Sequence, residues 1–212
     1  RGIDKAVQSA VDMLEGLSPN DQVCVFAAGD DVKPLFEMLT KETDLVEVMP
    51  VVMGIQHMAR HLSTYMSPQR RRVHPAFWRA RARVEYQPLG VIGIISPWNY
   101  PLQLALCPLA DALAAGNRAM LKPSELTPRF SELLADLIES TFPADLVTVC
   151  TGGVDVAQSF SSLPFDHLVF TGSTNVGKIV MRAAAENLTP VTLELGGKSP
   201  LIIDEGYPLG RS

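Results

Sequence analysis

Cysteine is scarce in this chain of 212 residues, and its three copies, Cys24, Cys107 and Cys150, are scattered. An odd, dispersed set excludes a disulfide framework and lacks metal-ligand spacing, so no metal site is expected. No apolar run of ~18 residues lacks a charge or a proline, so no membrane-spanning helix is expected. Arg1 to Lys5 are charged and lead into no apolar signal core, which points to a cytoplasmic protein. No methionine stands at position 1, so a cut N-terminus is expected. Basic residues number 18 against 23 acidic ones, which argues against nucleic acid as a main partner. The one basic run, Arg70-Arg71-Arg72, reads as a solvated surface patch. The GxGxxG fingerprint of dinucleotide sites is missing, as are repeats and low-complexity tracts. Charged residues make up only 19%. That suits the near-continuous buried strands of an α/β protein, or else a face covered by another segment or partner.

The chain is long enough for one large domain or two small ones. Residues 1–66 look helical. Val7, Ala10, Val11 and Leu14 recur at helical spacing, and a second helical stretch runs from about Asp44 to Tyr65 with Val48, Val51, Val52, Ile55 and Met58. Residues 67–80 read as a polar connection. Arg81 to Tyr86 alternates like a strand, with Ala82, Val84 and Tyr86 on one face. From Leu89 the pattern becomes strand–helix–strand. Strands are expected at Leu89–Ile95, Arg118–Lys122, Leu146–Cys150, Leu168–Phe170 and Val191–Leu195. Helices are expected near 100–115, 127–140, 153–162 and 174–187. Gly116-Asn117 reads as a helix stop, and Thr127-Pro128 as an N-cap followed by proline. Strands separated by helices imply right-handed crossovers and a parallel sheet. Ligands of such sheets bind beyond the carboxyl ends of the strands.

Four segments fall at those ends. Ser96-Pro97-Trp98-Asn99 follows a very apolar strand, and the Asn99 amide can donate to a developing oxyanion; turn-forming asparagines are also commonplace. Lys122-Pro123-Ser124-Glu125 offers an ammonium for phosphate or ribose and a carboxylate for ribose hydroxyls, although such residues around a proline turn are usually surface residues. Phe170-Thr171-Gly172-Ser173 opens a helix whose free N–H groups favour anions, or is a plain strand-to-helix turn. Glu194-Leu195-Gly196-Gly197 sets a carboxylate beside mobile glycine backbone. It can serve as a general base, or is a strand-end surface glutamate.

Together and in this order, the four segments resemble the aldehyde dehydrogenase superfamily over roughly Thr43 to Glu205. Arg81 to Gly90 and Ala184 to Pro190 look most like its coniferyl aldehyde dehydrogenase branch. The resemblance implies a Rossmann-like NAD-binding α/β domain over residues 89–205. A helical segment over 1–80 and an oligomerisation strand over 81–88 would precede it. It implies oxidation of an aldehyde to the acid with NAD, with NADP open, in a homo-oligomer. Carried over residue by residue, Asn99 would be the oxyanion donor and Glu194 the base. Lys122, Ser124 and Glu125 would hold the adenosine ribose, and Glu125 favours a free 2′-hydroxyl. Gly172, Ser173 and Gly177 would line the pyrophosphate. Ser96, Pro97, Trp98, Leu195 and Gly196 would line the remainder of the cofactor cleft.

The family's nucleophilic cysteine lies a few dozen residues after its Glu-Leu-Gly-Gly segment, which here would fall beyond Ser212. The stretch Gly206–Ser212 also departs from the family pattern. The expectation is a fragment of a dehydrogenase, inactive alone. The alternatives are a non-catalytic nucleotide-binding or subunit-pairing module and a marginally folded remnant. Cys107 or Cys150 as a substitute nucleophile is disfavoured, because both fall within expected secondary structure.

Overall fold

The computed structural model describes residues 45–197. The first expected helix, Cys24 and the tail past residue 205 lie outside them. Helix α1 (Leu45–Tyr65) opens this region. Val48, Val51, Val52 and Ile55 recur in steps of three and four and form its buried stripe. A two-stranded antiparallel ribbon follows, made of β1 (Gln69–Arg71) and β2 (Ala82–Val84) with a 3₁₀ turn at Pro75–Phe77 between them. Strand β1 lies within the stretch 67–80 that reads as a polar connection. A strand of charged residues carries no apolar alternation, so only its pairing with β2 reveals β1.

The chain then alternates β3 (Val91–Ile95), α2 (Pro101–Ala114), β4 (Arg118–Lys122), α3 (Pro128–Thr141), β5 (Val147–Val149), α4 (Val154–Ser161), β6 (His167–Gly172), α5 (Thr174–Ala185) and β7 (Val191–Leu195). The five strands β3–β7 form a parallel sheet in the order β5-β4-β3-β6-β7. The chain moves outward from β3 to β5, then returns to the other side of β3. This reversal is the switch point of a Rossmann-like sheet, where a crevice opens between β3 and β6.

Helices cover both faces. On one, Ile92 and Ile94 of β3 and Leu121 of β4 pack with Leu102, Leu106 and Leu109 of α2, Leu134 and Ile138 of α3, and the α1 stripe. On the other, Ile95, Leu168 and Phe170 pack with Phe160 of α4 and Val180 and Ala184 of α5. Gly93 lies between Ile92 and Ile94 because a Cβ there would come within 2.7 Å of Leu168 and Phe165 side-chain atoms.

Two local expectations are corrected. Strand β5 is three residues long rather than Leu146–Cys150, because Leu146 N is drawn into a turn, bonding Pro143 O at 2.9 Å. Thr127 caps α3 by position but not by side chain; its hydroxyl donates to Ser124 O at 3.3 Å. The helix stop at Gly116-Asn117 takes the expected form. Gly116 adopts φ +83°, a conformation glycine enters without steric cost. Asn117 then ties the end of α2 to the start of β3: its Oδ1 accepts from Leu89 N at 2.6 Å and Gly90 N at 3.0 Å, and its Nδ2 donates to Ala112 O at 3.1 Å.

Candidate active site

The candidate residues lie at or just beyond the carboxyl ends of four adjacent strands. Ser96 leaves β3 and is buried, and its N–H donates to Lys122 O at 3.2 Å. That bond ties the first loop of the site to the second. Pro97 is half-buried, Trp98 and Asn99 are exposed, and Asn99 makes no hydrogen bond with any described residue. An unengaged amide at a strand end is free to donate to a ligand.

At the end of β4, Lys122 is only 1% exposed although charged. Its ammonium donates to Pro123 O at 2.7 Å and lies 3.7 Å from Glu125 Oε2. The Glu125 side chain is 39% exposed, so it bridges a buried cation to solvent. Burying an ammonium is costly unless it is paired and hydrogen-bonded, and the turn supplies both. Ser124 is engaged within the turn: its Oγ accepts from Leu126 N at 3.2 Å, and its carbonyl accepts from the Ser131 hydroxyl at 3.0 Å. Sequence reasoning missed Ser131, whose buried hydroxyl on α3 holds the Lys122–Glu125 turn; one polar residue on an amphipathic helix gives no distinguishing signal.

Across the switch point, β6 ends at Gly172 and Ser173 caps α5, its Oγ accepting from Val176 N at 3.3 Å. The remaining first-turn N–H groups of α5 are those that favour an anion. Both glycines have a packing reason as well. A Cβ on Gly172 would stand 2.6 Å from Phe170 Cζ, and one on Gly177 would stand 3.0 Å from Leu195 Cδ2. Gly177 is buried between α5 and β7, so it brings that helix close to the strand carrying Glu194.

Strand β7 is registered with β6, placing Glu194 opposite Thr171 and Leu195 opposite Gly172. Ile95 and Leu193 both pair with Phe170. The strands leading to Asn99 and Glu194 are thus two sheet spacings apart, roughly 10 Å between backbones. Glu194 and Gly196 are exposed, and a Cβ on Gly196 would meet nothing within 4 Å. The described residues do not enclose Glu194.

Neither described thiol is activated. Burial pushes the Cys107 thiol up, and Asp111 adds to the effect. Burial also pushes the Cys150 thiol up, with Lys122 opposing it. Thiolate chemistry requires the opposite shift. Among the described residues no group of three His, Cys, Asp or Glu is placed to hold a metal, and no helix is long and apolar enough to cross a membrane.

This strand order and these loops define a doubly wound α/β domain with its ligand crevice at the switch point. The chain belongs to the aldehyde dehydrogenase family, whose model matches residues 35–210. It is 59% identical, over 168 residues, to a Pseudomonas aeruginosa protein described as "Probable coniferyl aldehyde dehydrogenase"; the match covers 79% of this chain and 35% of that protein. A substrate-bound AldH structure from Staphylococcus aureus superposes with a TM-score of 0.76 at 35% identity, covering 94% of this chain and 43% of that one. A Mycobacterium tuberculosis aldehyde dehydrogenase complexed with NAD⁺ superposes with a TM-score of 0.67 at 31% identity, covering 93% of this chain and 44% of that one. The chain spans about a third of the length of the curated relatives it matches.

Proposed function

We propose that this chain is the cofactor-holding part of an NAD(P)-dependent aldehyde dehydrogenase acting on a coniferyl-type or other aromatic or aliphatic aldehyde. The observation that carries the reading is the pairing of two features across one switch point. Lys122 and Glu125 meet at the end of β4, and the Ser173-capped start of α5 stands at the end of β6. The donor set fits a dinucleotide: a carboxylate for ribose hydroxyls and helix N–H groups for a pyrophosphate. The bound cofactor would supply the hydride acceptor.

The chain's own residues would do the following. Glu125 binds the adenosine ribose, with the buried Lys122 ammonium positioning its carboxylate and Ser124 shaping their turn. Gly172, Ser173 and the start of α5 bind the pyrophosphate, and Gly177 sets the approach of α5 to β7. Ser96, Pro97, Trp98, Leu195 and Gly196 border the nicotinamide side. The Asn99 amide donates to the aldehyde oxygen as negative charge develops on it. The Glu194 carboxylate takes a proton first from the attacking thiol and later from water. That thiol belongs to the family's nucleophilic cysteine and is neither Cys107 nor Cys150. On this reading helix α1 and the β1–β2 ribbon precede a cofactor domain that begins at residue 89, with residues 81–88 as the oligomerisation strand, in a cytoplasmic homo-oligomer.

A second reading, a nucleotide-binding or subunit-pairing module without chemistry, is favoured by Glu194, which stands exposed and is not enclosed by any described residue. Aldehyde-dependent NADH formation separates the two. The polypeptide assayed must join residues 1–212 to the family's thiolate segment. Formation lost with Glu194→Gln supports the dehydrogenase, and binding without turnover supports the module.

A further inference from the structure

Helix α3 buries one stripe, made of Phe130, Ser131, Leu134, Leu137 and Ile138. Ser131 is its single polar member and is only 6% exposed. A buried hydroxyl is costly unless it is hydrogen-bonded. Serines inside helices usually satisfy themselves on the carbonyl four residues back. Ser161 of α4 does so, its Oγ donating to Ala157 O at 2.8 Å. Ser131 reaches Thr127 O in the same way at 3.0 Å. It also reaches Ser124 O at 3.0 Å, seven residues back and outside the helix.

The second contact falls on the residue beside Glu125. Thr127 N and Thr127 Oγ1 each reach the Ser124 carbonyl at 3.3 Å, and the Ser131 hydroxyl makes the shortest bond to it. Thr127 O, by contrast, already has the helix donor Ser131 N at 2.9 Å. Ser124 is tied again by its own Oγ, which accepts from Leu126 N at 3.2 Å. The backbone is thus held on both sides of Glu125. On the strand side the Lys122 ammonium donates to Pro123 O at 2.7 Å; on the helix side Ser131 holds Ser124. Lys122, Pro123 and Ser124 are buried, and Glu125 is the part of the turn that reaches solvent.

On the cofactor reading above, we propose that Ser131 is a positioning residue for dinucleotide recognition. Its hydroxyl acts through the Ser124 carbonyl and sets the backbone from which the Glu125 carboxylate meets the adenosine ribose. A flexible side chain loses rotamer freedom when it grips a ligand, and a backbone held in advance lowers that cost. Groups that contact a ligand depend in this way on the hydrogen bonds behind them. Removing the Ser131 hydroxyl leaves Ser124 O its two longer bonds, so the turn loosens without unfolding. The grip on the ribose should weaken, while the pyrophosphate end at the start of α5 is untouched.

A double-variant cycle read by calorimetric titration with NAD tests this role. Ser131→Ala should weaken binding roughly two- to tenfold, the range for ordering one side chain on binding. Ser131→Thr keeps the hydroxyl and should restore most of the loss. Ser161→Ala, at a buried serine bonded within its own helix, should leave affinity unchanged. In a Glu125→Ala background, Ser131→Ala should change nothing further; in a Ser173→Ala background its loss should persist in full. A merely structural serine would weaken binding equally in both backgrounds. Equal losses in the two backgrounds, no loss with Ser131→Ala alone, or a loss kept by a Ser131→Thr variant that melts with the parent, would overturn the proposal and leave the cofactor reading standing. No saturable NAD binding by the parent chain would overturn that reading and the proposal together.

Discussion

Lys122 Nζ stands 3.7 Å from Glu125 Oε2 at the end of β4, one partner buried and the other open to solvent. This asymmetry divides their roles. Lys122 is held in place by the Pro123 carbonyl, and Glu125 presents the face available to a ligand. Glu125→Gln should therefore cost NAD affinity about tenfold, 1.4 kcal/mol, and narrow any preference over NADP. It should also lower stability, because the buried Lys122 ammonium loses its carboxylate partner and keeps only the Pro123 carbonyl. Calorimetry with each dinucleotide and a melting curve read both quantities.

Asn117 is expected to matter for folding and not for binding. Asn117→Leu leaves Leu89 N and Gly90 N without their acceptor and should cost about 2–4 kcal/mol. Urea unfolding measures the loss. An NAD affinity unchanged where the variant remains folded would separate the two roles.

Much of this site was legible in the sequence, because its residues sit at strand ends and the apolar strands announce themselves. Arg118–Lys122 and Val191–Leu195 have the expected bounds, and the loops follow them. What escaped depends on long-range pairing. β1 is a run of glutamine and arginines with no periodic signal. The Ser131 anchor and the Asn117 clasp are single polar residues whose partners lie elsewhere in the fold. Glu194 reads as a general base or a strand-end surface glutamate, and the described residues leave it exposed.

Gly93→Ala should destabilise the core. The added methyl meets Leu168 and Phe165 atoms at 2.7 Å, and overpacking of this kind typically costs about 1–3 kcal/mol. Gly196→Ala, where a Cβ meets nothing within 4 Å, is the contrast. Chemical denaturation of the pair should show a loss for Gly93→Ala only.

Stability should fall on mild acidification partly through His167. Burial lowers its pKa from the ordinary 6.5, so the unfolded chain takes up a proton before the folded one does. The contribution of neutral His167 is thus present above about pH 6.5 and is lost as pH falls toward its folded value. Its Nε2 is 2.8 Å from Thr192 Oγ1 across β6 and β7. His167→Gln should flatten the dependence of melting temperature on pH between about 7.5 and 5.

The raised thiols predict slow chemistry. At pH 7.5, Cys107 and Cys150 in the folded chain should react with a chromogenic disulfide about tenfold or more slowly than free cysteine. Cys107→Ser with Cys150→Ser should leave NAD affinity intact. Fast labelling at either position, or lost affinity, would reassign that thiol to the site.

The most direct test of the central claim is calorimetric titration of the chain with NAD, repeated on Ser173→Ala combined with Glu125→Ala. The account predicts saturable, weak binding to one site, at least tenfold weaker in the double variant because the helix cap and the carboxylate proposed for the ribose are both gone. Absence of saturable binding to the folded chain, or affinity undiminished in the double variant, would contradict it.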